Sequence, residues 1–288
     1  MSRDEEECLA SDGLIARKGG AHAELKLAWL ETFLAHALAA TKSMRDRAYI
    51  DLFAGPGITI PKNGGLEIPA GALRALQAVA HGKNGVATFT EAHLLNLDPG
   101  HSEALRARVD SLPDRKISRD MIYHHVGDAN LLVRDVLSRV RDGYVLAFVD
   151  PESASQLPWS TIEALRSQGH NHIDAYILYP WGQSIRRRAV DQPGILDEFY
   201  GTEEWREIDR EFPTDAQRHD RSRAHRELYL RRLGGLWKHA IPVREVTREQ
   251  TQQNLYHMLY ATDHPDARKI AAGVVKAFEK RHAQPRLL

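Results

Sequence analysis

Apolar positions along the chain alternate between two rhythms. Between residues 22 and 40, Leu25, Trp29, Phe33 and Ala37 recur at helical spacing, with Leu27, Leu30, Leu34 and Leu38 on adjoining faces. That pattern predicts a helix apolar around much of its girth, fit to pack on a sheet. Short apolar runs predict strands at about 48–53, 93–98, 122–126, 144–149 and 173–179. The run Tyr144 to Val149 is apolar throughout, as expected of a central strand covered on both faces. Helical stretches at about 71–81, 100–111, 129–141 and 159–167 separate these strands. Five strands alternating with helices predict an α/β fold with a doubly wound, mostly parallel sheet and right-handed crossovers. A further strand near 255–262 and a helix over 266–282 close the chain.

Three segments break the rhythm. Residues 1–20 are polar, end in Gly19-Gly20, and read as a mobile N-terminal arm. Residues 58–69 carry Pro61, Gly64, Gly65 and Pro69, so no helix can run through them. Residues 182–250 read as a helical insertion of divided charge: two basic against nine acidic residues over 191–215, then eight basic against two acidic over 216–244. The domain plan is therefore an arm (1–20), a core (21–181), an insertion (182–250), and a strand and helix that complete the core (251–288).

The chemistry gathers where strands end. Tyr49-Ile-Asp-Leu-Phe-Ala-Gly-Pro-Gly57 reads as a buried strand stopping at a glycine turn. In open α/β sheets ligands bind beyond the carboxyl ends of the strands, and glycine lets a ligand approach the backbone. Asp51, Phe53, Gly55, Pro56 and Gly57 are thus candidate cofactor residues; a tight turn with no ligand is the alternative. About a dozen residues separate the glycines from the next helix, which argues against a pyrophosphate held at a helix N-terminus. Asp98 closes the second strand, where it could accept two ribose hydroxyls or cap the following helix. Asp128 follows the third strand, with an adenine amino group or a helix cap as its roles. Asp150-Pro151 follows the fourth strand. Asp150 is the candidate catalytic acceptor or base and Glu152 a second one, with loop fixation as the alternative. Trp181, Arg186 and Arg187 follow the fifth strand and could face a substrate. The arginines of 218–232, with Tyr229 among them and Trp237 just beyond, could hold nucleic acid or pair with the acidic stretch. His124, His125, His257 and His264 fit packing or capping roles, and none shows metal-ligand spacing.

Composition narrows this little. Lys+Arg and Asp+Glu stand at 39 each among 288 residues, so any basic surface is local. The single cysteine, Cys8, excludes an internal disulfide and a multi-cysteine metal site within one chain, and fits the cytoplasm. The opening Arg3-Asp-Glu-Glu-Glu7 is unlike a signal peptide, and no apolar run nears the roughly 20 residues of a membrane span.

A glycine turn at the first strand, an acid at the second, Gly-Asp at the third and Asp-Pro at the fourth resemble the layout of S-adenosylmethionine-dependent methyltransferases. The nearer resemblance is to the three-Cys-motif partner family (TcmP). It is carried by Tyr49–Gly57, Gly71–Leu76, Phe148–Pro151, Trp159–Glu163, Asp174–Pro180 and Tyr260–Pro265. It implies a Rossmann-like, class I methyltransferase-like core, S-adenosylmethionine as cofactor, and a three-cysteine-motif protein as partner. On it, Asp51, Gly55 and Gly57 hold the cofactor's amino-acid end, Asp98 the ribose, Asp128 the adenine, and Asp150 the acceptor. The chain departs from the family after the fourth strand, where Asp-Pro-Tyr-Gly becomes Asp150-Pro151-Glu152-Ser153. Methyltransferases acting on base amino groups stack the flipped base on an aromatic residue there. Three expectations stand together: a methyltransferase acting on DNA or RNA, one acting on a small molecule or protein, and a catalytically silent cofactor-binding subunit.

Overall fold

The computed structural model describes residues 7–20, 23–62, 64–82, 85–167, 172–248 and 253–283. In chain order the strands are β1 (Glu7–Leu9), β2 (Ile15–Gly19), β3 (Arg47–Asp51), β4 (Ile58–Pro61), β5 (Ile68–Pro69), β6 (Ala80–Gly82), β7 (Gly85–Ala87), β8 (Glu91–Asn96), β9 (Ile122–Val126), β10 (Tyr144–Val149), β11 (Ile173–Tyr179), β12 (His239–Arg248) and β13 (Gln253–Thr262). The helices are α1 (Ala23–Ala40), α2 (Gly71–Gln77), α3 (Pro99–Ser111), α4 (Ala129–Arg139), α5 (Trp159–Arg166), α6 (Arg186–Asp191), α7 (Pro193–Tyr200), α8 (Trp205–Glu211), α9 (Arg218–Gly234) and α10 (Ala267–Ala283).

A seven-stranded, mostly parallel sheet runs β12-β13-β11-β10-β3-β8-β9. β3 pairs with β8 and β8 with β9 in parallel, while β13 runs antiparallel to both β11 and β12. The strands β3, β8, β9, β10 and β11 thus appear spatially as third, second, first, fourth, fifth, the doubly wound order, and the order reverses at β3. This is the α/β layout that the apolar rhythm predicts.

The chain divides into two units. One comprises residues 1–129, 140–146 and 272–288; the other comprises 130–139 and 147–271. In the first, all five residues of β3 are buried. Helix α1 buries Leu27, Trp29, Leu30, Phe33, Leu34, Ala37 and Leu38, while Leu25 is exposed at its N-terminal end. Trp29 stacks on Phe278 of α10, ring centroids 3.8 Å apart. β8 begins two residues before the expected start, where Glu91 pairs with Ala48 of β3 and its buried carboxylate accepts the Arg141 amide at 3.0 Å. The helix expected over 71–81 ends at Gln77, and β6 follows, paired with β7.

Two further corrections concern the segments of odd composition. Residues 7–19 form a hairpin rather than a free arm: β1 pairs with β2, β2 with β4, and β4 with β5 in a second, four-stranded sheet. The loop 58–69 supplies β4 and β5 to that sheet.

In the second unit the insertion contains α6 to α9 and the long strand β12, which the helical reading of 182–250 missed. Pro242 fits there because β12 is the edge of the sheet, where a missing amide donor is tolerated. The divided charge pairs within the chain. Arg231 of the basic stretch meets Glu204 of the acidic one, while Arg206 pairs with Asp197 inside the acidic stretch (Nη2 to Oδ2, 2.7 Å) and Arg226 meets Glu245 just beyond the basic one at 3.3 Å. The aromatics of the basic stretch point inward: Tyr229 and Trp237 are buried, and the Trp237 indole donates to the Ile173 carbonyl at 2.7 Å. Tyr260-Ala-Thr-Asp-His-Pro265 locks a turn. The Asp263 carboxylate accepts from Arg166 and from the Lys238 amide, both at 2.8 Å, and Thr262 Oγ1 accepts from the His264 amide. Among the described residues no helix is long and apolar enough to cross a membrane.

Candidate cofactor and acceptor residues

Because β3, β8 and β9 are adjacent and parallel, their carboxyl ends share one edge. Asp51 to Gly57, Asn96 to Asp98, and Gly127-Asp128 are therefore neighbours in space as well as in motif order.

The glycine turn is held at four points. The Ala54 amide donates to the Leu95 carbonyl at 3.0 Å, and the Asn96 side-chain amide donates to the Gly55 carbonyl at 3.1 Å. Arg108 donates to the Pro56 carbonyl at 2.6 Å, and the Ala70 amide to the Gly57 carbonyl at 2.8 Å. The two glycines are needed for different reasons. Gly57 has φ +96°, and a Cβ there would stand 2.9 Å from Leu105 Cδ1. Gly55 has φ +64°, and a Cβ there would meet nothing within 4 Å, so that side of the turn admits the approach of another molecule. Asp51 is 1% exposed. Its carboxylate accepts the Tyr49 hydroxyl at 3.0 Å and the Phe53 amide at 3.2 Å. It braces the turn from inside, and Phe53 is half-buried beside it.

Of the two roles open to Asp98, the helix cap is in place: Oδ1 accepts the His101 amide at 3.1 Å, with Pro99 at the first helical position. Asp128 is exposed immediately before α4, after Gly127 at φ +143°. Two residues here escape a reading by motif. Asn96 is a polar interruption in the apolar run His93-Leu-Leu-Asn-Leu97, and that interruption is a signal in the sequence. Arg108 gives none, since a helix arginine is ordinarily solvated, yet here it is 6% exposed.

The acceptor candidates belong to the second unit. Asp150 is half-buried directly after β10. Tyr256 of β13 is near enough that the Asp150 charge adds to burial, the larger cause, in raising its phenol well above the usual range. Tyr256 thus stays protonated. The loop beyond is tied down: the Glu152 amide donates to Gln156 Oε1 at 2.7 Å, the Ala154 amide to Ser184 Oγ at 2.8 Å, and Asn130 to the Gln156 carbonyl at 3.1 Å. Glu152 is exposed.

Trp181 does not stand ready for a substrate. It opens a π-helical turn over 181–185, is 3% exposed, and packs on His225 with centroids 5.0 Å apart. Arg186 is half-buried at the start of α6, and the Arg187 side chain lies outside the described residues.

The histidines serve packing. Burial, and then the Arg226 charge, pushes His257 down to about 3; burial, and then Arg106, pushes His124 down to about 4. Ser222, His257 and Glu245 have the composition of a hydrolytic triad, but Ser222 is 0% exposed and no substrate reaches its hydroxyl. A cleft of about 510 Å³ lined by Glu31, His36, Arg74 and Arg281 contains none of the candidate cofactor or acceptor residues. Among the described residues no three His, Cys, Asp or Glu side chains converge as metal ligands would.

No family model matches the chain, and no curated protein does. Solved structures do match. Protein LPL1258 from Legionella pneumophila, assigned to family model DUF519, is 12% identical over 88% of this chain and 91% of its own, at a TM-score of 0.51. The O-methyltransferase from Bacillus cereus, in complex with SAH, is 12% identical over 81% of this chain and 80% of its own, at 0.40. The putative methyltransferase yhhF from Escherichia coli is 15% identical over 75% and 76%, at 0.37. At these identities the likeness is one of fold.

Proposed function

We propose that this chain is an S-adenosylmethionine-dependent methyltransferase-like protein that holds its cofactor at the Asp51–Gly57 turn and its acceptor at Asp150. The carrying observation is the turn, braced at four points at the edge where the strand order reverses, with Gly55 open to approach. These residues fit the cofactor: a braced glycine turn for its amino-acid end and exposed Asp128 for the adenine amino group, while Asp98 is committed to capping α3. When bound, the cofactor supplies an activated methyl on a sulfonium. The protein's task is then to position the acceptor and take up a proton. Asp51 acts through the turn by keeping Phe53 and the glycines in register. Asp150 accepts the hydrogen of the acceptor's N–H or O–H, with protonated Tyr256 close by. Glu152, exposed and drawn toward Gln156, is the second candidate.

The acceptor is a nitrogen or oxygen nucleophile. DNA and RNA belong among the acceptors to try, with Arg186 and Arg187 as phosphate contacts. The burial of Trp181 counts against its stacking a flipped base. A specific observation favours a second reading: with Glu152 where the resembled family has tyrosine and Trp181 enclosed, the chain could bind cofactor and work as a silent subunit. The three-cysteine-motif protein implied by the TcmP resemblance would be its partner, in the cytoplasm that the single cysteine fits.

The test is methyl transfer from methyl-labelled cofactor to DNA, RNA, protein and small amines, comparing wild type with Asp150→Asn. Label on one acceptor class, lost in the variant while SAH still binds, supports the enzyme. Binding of SAH with no transfer to any acceptor moves the conclusion to the silent subunit.

A further inference from the structure

The N-terminal hairpin is tied to the glycine turn through one buried side chain. Arg108 of α3 uses all five of its N–H donors. Nε and Nη2 fork onto the Asp12 carboxylate at 2.8 and 2.9 Å. Nη2 also reaches the Leu14 carbonyl at 3.3 Å, and Nη1 reaches the carbonyls of Ile15 at 2.7 Å and Pro56 at 2.6 Å. Four of the five bonds go to the hairpin and the fifth to the middle of the turn. The Asp12 carboxylate also accepts the Leu14 amide at 3.0 Å, which fixes the hairpin tip that presents those carbonyls. The tip is joined to the same region a second time. Ser11 Oγ donates to Glu67 Oε2 at 2.9 Å, and Glu67 lies on the segment leading from the turn to α2.

We propose that Arg108 is a positioning residue for the cofactor turn and that Asp12, on the hairpin, sets its geometry, so that cofactor affinity depends on whether the hairpin is docked. This rests on the reading of the glycine turn as the cofactor site. The guanidinium is planar, and one fork seated on Asp12 aims the remaining N–H groups. Without the Asp12 carboxylate, two of the five donors lose their acceptor, and the plane that places Nη1 against the Pro56 carbonyl is no longer fixed. A lysine at 108 has one nitrogen and cannot span the hairpin and the turn together. Coupling of this kind is reciprocal: if the hairpin sets cofactor affinity, cofactor binding must tighten the hairpin.

The experiment measures SAH affinity by calorimetry and amide hydrogen exchange of residues 7–19, with and without SAH, in wild type, Asp12→Asn and Arg108→Lys. Asp12 is two-fifths exposed, so its variant should fold even if the change at buried Arg108 does not. The expected result is slower hairpin exchange when SAH binds wild type. In Asp12→Asn the affinity should fall about ten-fold and the slowing should disappear. A residue that merely supported the fold would leave hairpin exchange indifferent to SAH. If wild type binds SAH without protecting the hairpin, or Asp12→Asn binds as wild type does, this inference is overturned and the cofactor site stands. If folded wild type binds no SAH, both are overturned.

Discussion

Replacing each turn glycine by alanine should separate stability from ligand binding. At Gly57, φ is +96° and the new methyl would sit 2.9 Å from Leu105 Cδ1 and 3.5 Å from Leu73 Cδ1. Both leucines are buried, so the neighbours must shift within a packed core. A side chain held at positive φ costs roughly 1–2 kcal/mol, and overpacking adds about 1–3 kcal/mol. Taken together, Gly57→Ala should lose about 2–5 kcal/mol, a fall of roughly 4–15 °C in Tm for a chain of this size. At Gly55, φ is +64° and a methyl would meet nothing within 4 Å, so only the backbone term applies. Gly55→Ala should lose about 1–2 kcal/mol, roughly 2–6 °C. Its methyl projects where a ligand would approach, and a clash of about 1.4 kcal/mol there weakens SAH ten-fold. Thermal melts paired with SAH titrations check both. Equal losses of Tm in the two variants, or undiminished SAH binding by Gly55→Ala, would mean that the two glycines do not play these separate roles.

Other outcomes follow from the same structure. Asp51→Asn keeps the shape but places an amide where a carboxylate accepts from Tyr49 and Phe53, and should lose about 1–3 kcal/mol in urea unfolding; no change would mean that the carboxylate braces nothing. The hydrogen bonds from Arg108 hold the Asp12 carboxyl below its usual range. Its contribution is therefore present above the unfolded value near 4 and lost as pH falls through the lower folded value, so the urea midpoints of wild type and Asp12→Asn should converge in acid. His257, pushed down to about 3, stays neutral when folded while the unfolded chain protonates near 6.5. Folding should weaken below that pH, and a proton NMR titration should show the ring neutral at pH 4.5; a midpoint near 6 would contradict its burial. Trp181→Ala should act through stability, losing about 3–5 kcal/mol as a buried aromatic does, rather than through acceptor KM alone.

The alternating β and α elements were readable because a parallel sheet covered on both faces leaves continuous apolar runs, as at Tyr144–Val149. The glycine turn was readable for a related reason: positive φ at Gly55 and Gly57 restricts the residue type, and the restriction shows in the sequence. The hairpin at 7–19 was not readable. Its strands are short and polar, and what holds them is a non-local fork from Arg108, 96 positions beyond Asp12. β12 hid behind Pro242 and its charged neighbours, which suit an edge strand as well as a loop. Trp181 illustrates a different limit. An aromatic after a strand end looks like a stacking platform, and only the fold reveals that His225 of α9 covers it. The alternatives at Asp98 were chemically equal on paper, and the His101 amide shows which is in place.

Whether the Asp51–Gly57 turn is a cofactor site is decided by calorimetric titration of the purified protein with S-adenosylmethionine and SAH. A cofactor site there binds both saturably in the micromolar range, and Gly55→Ala binds each far more weakly. A folded protein that takes up neither would contradict that assignment.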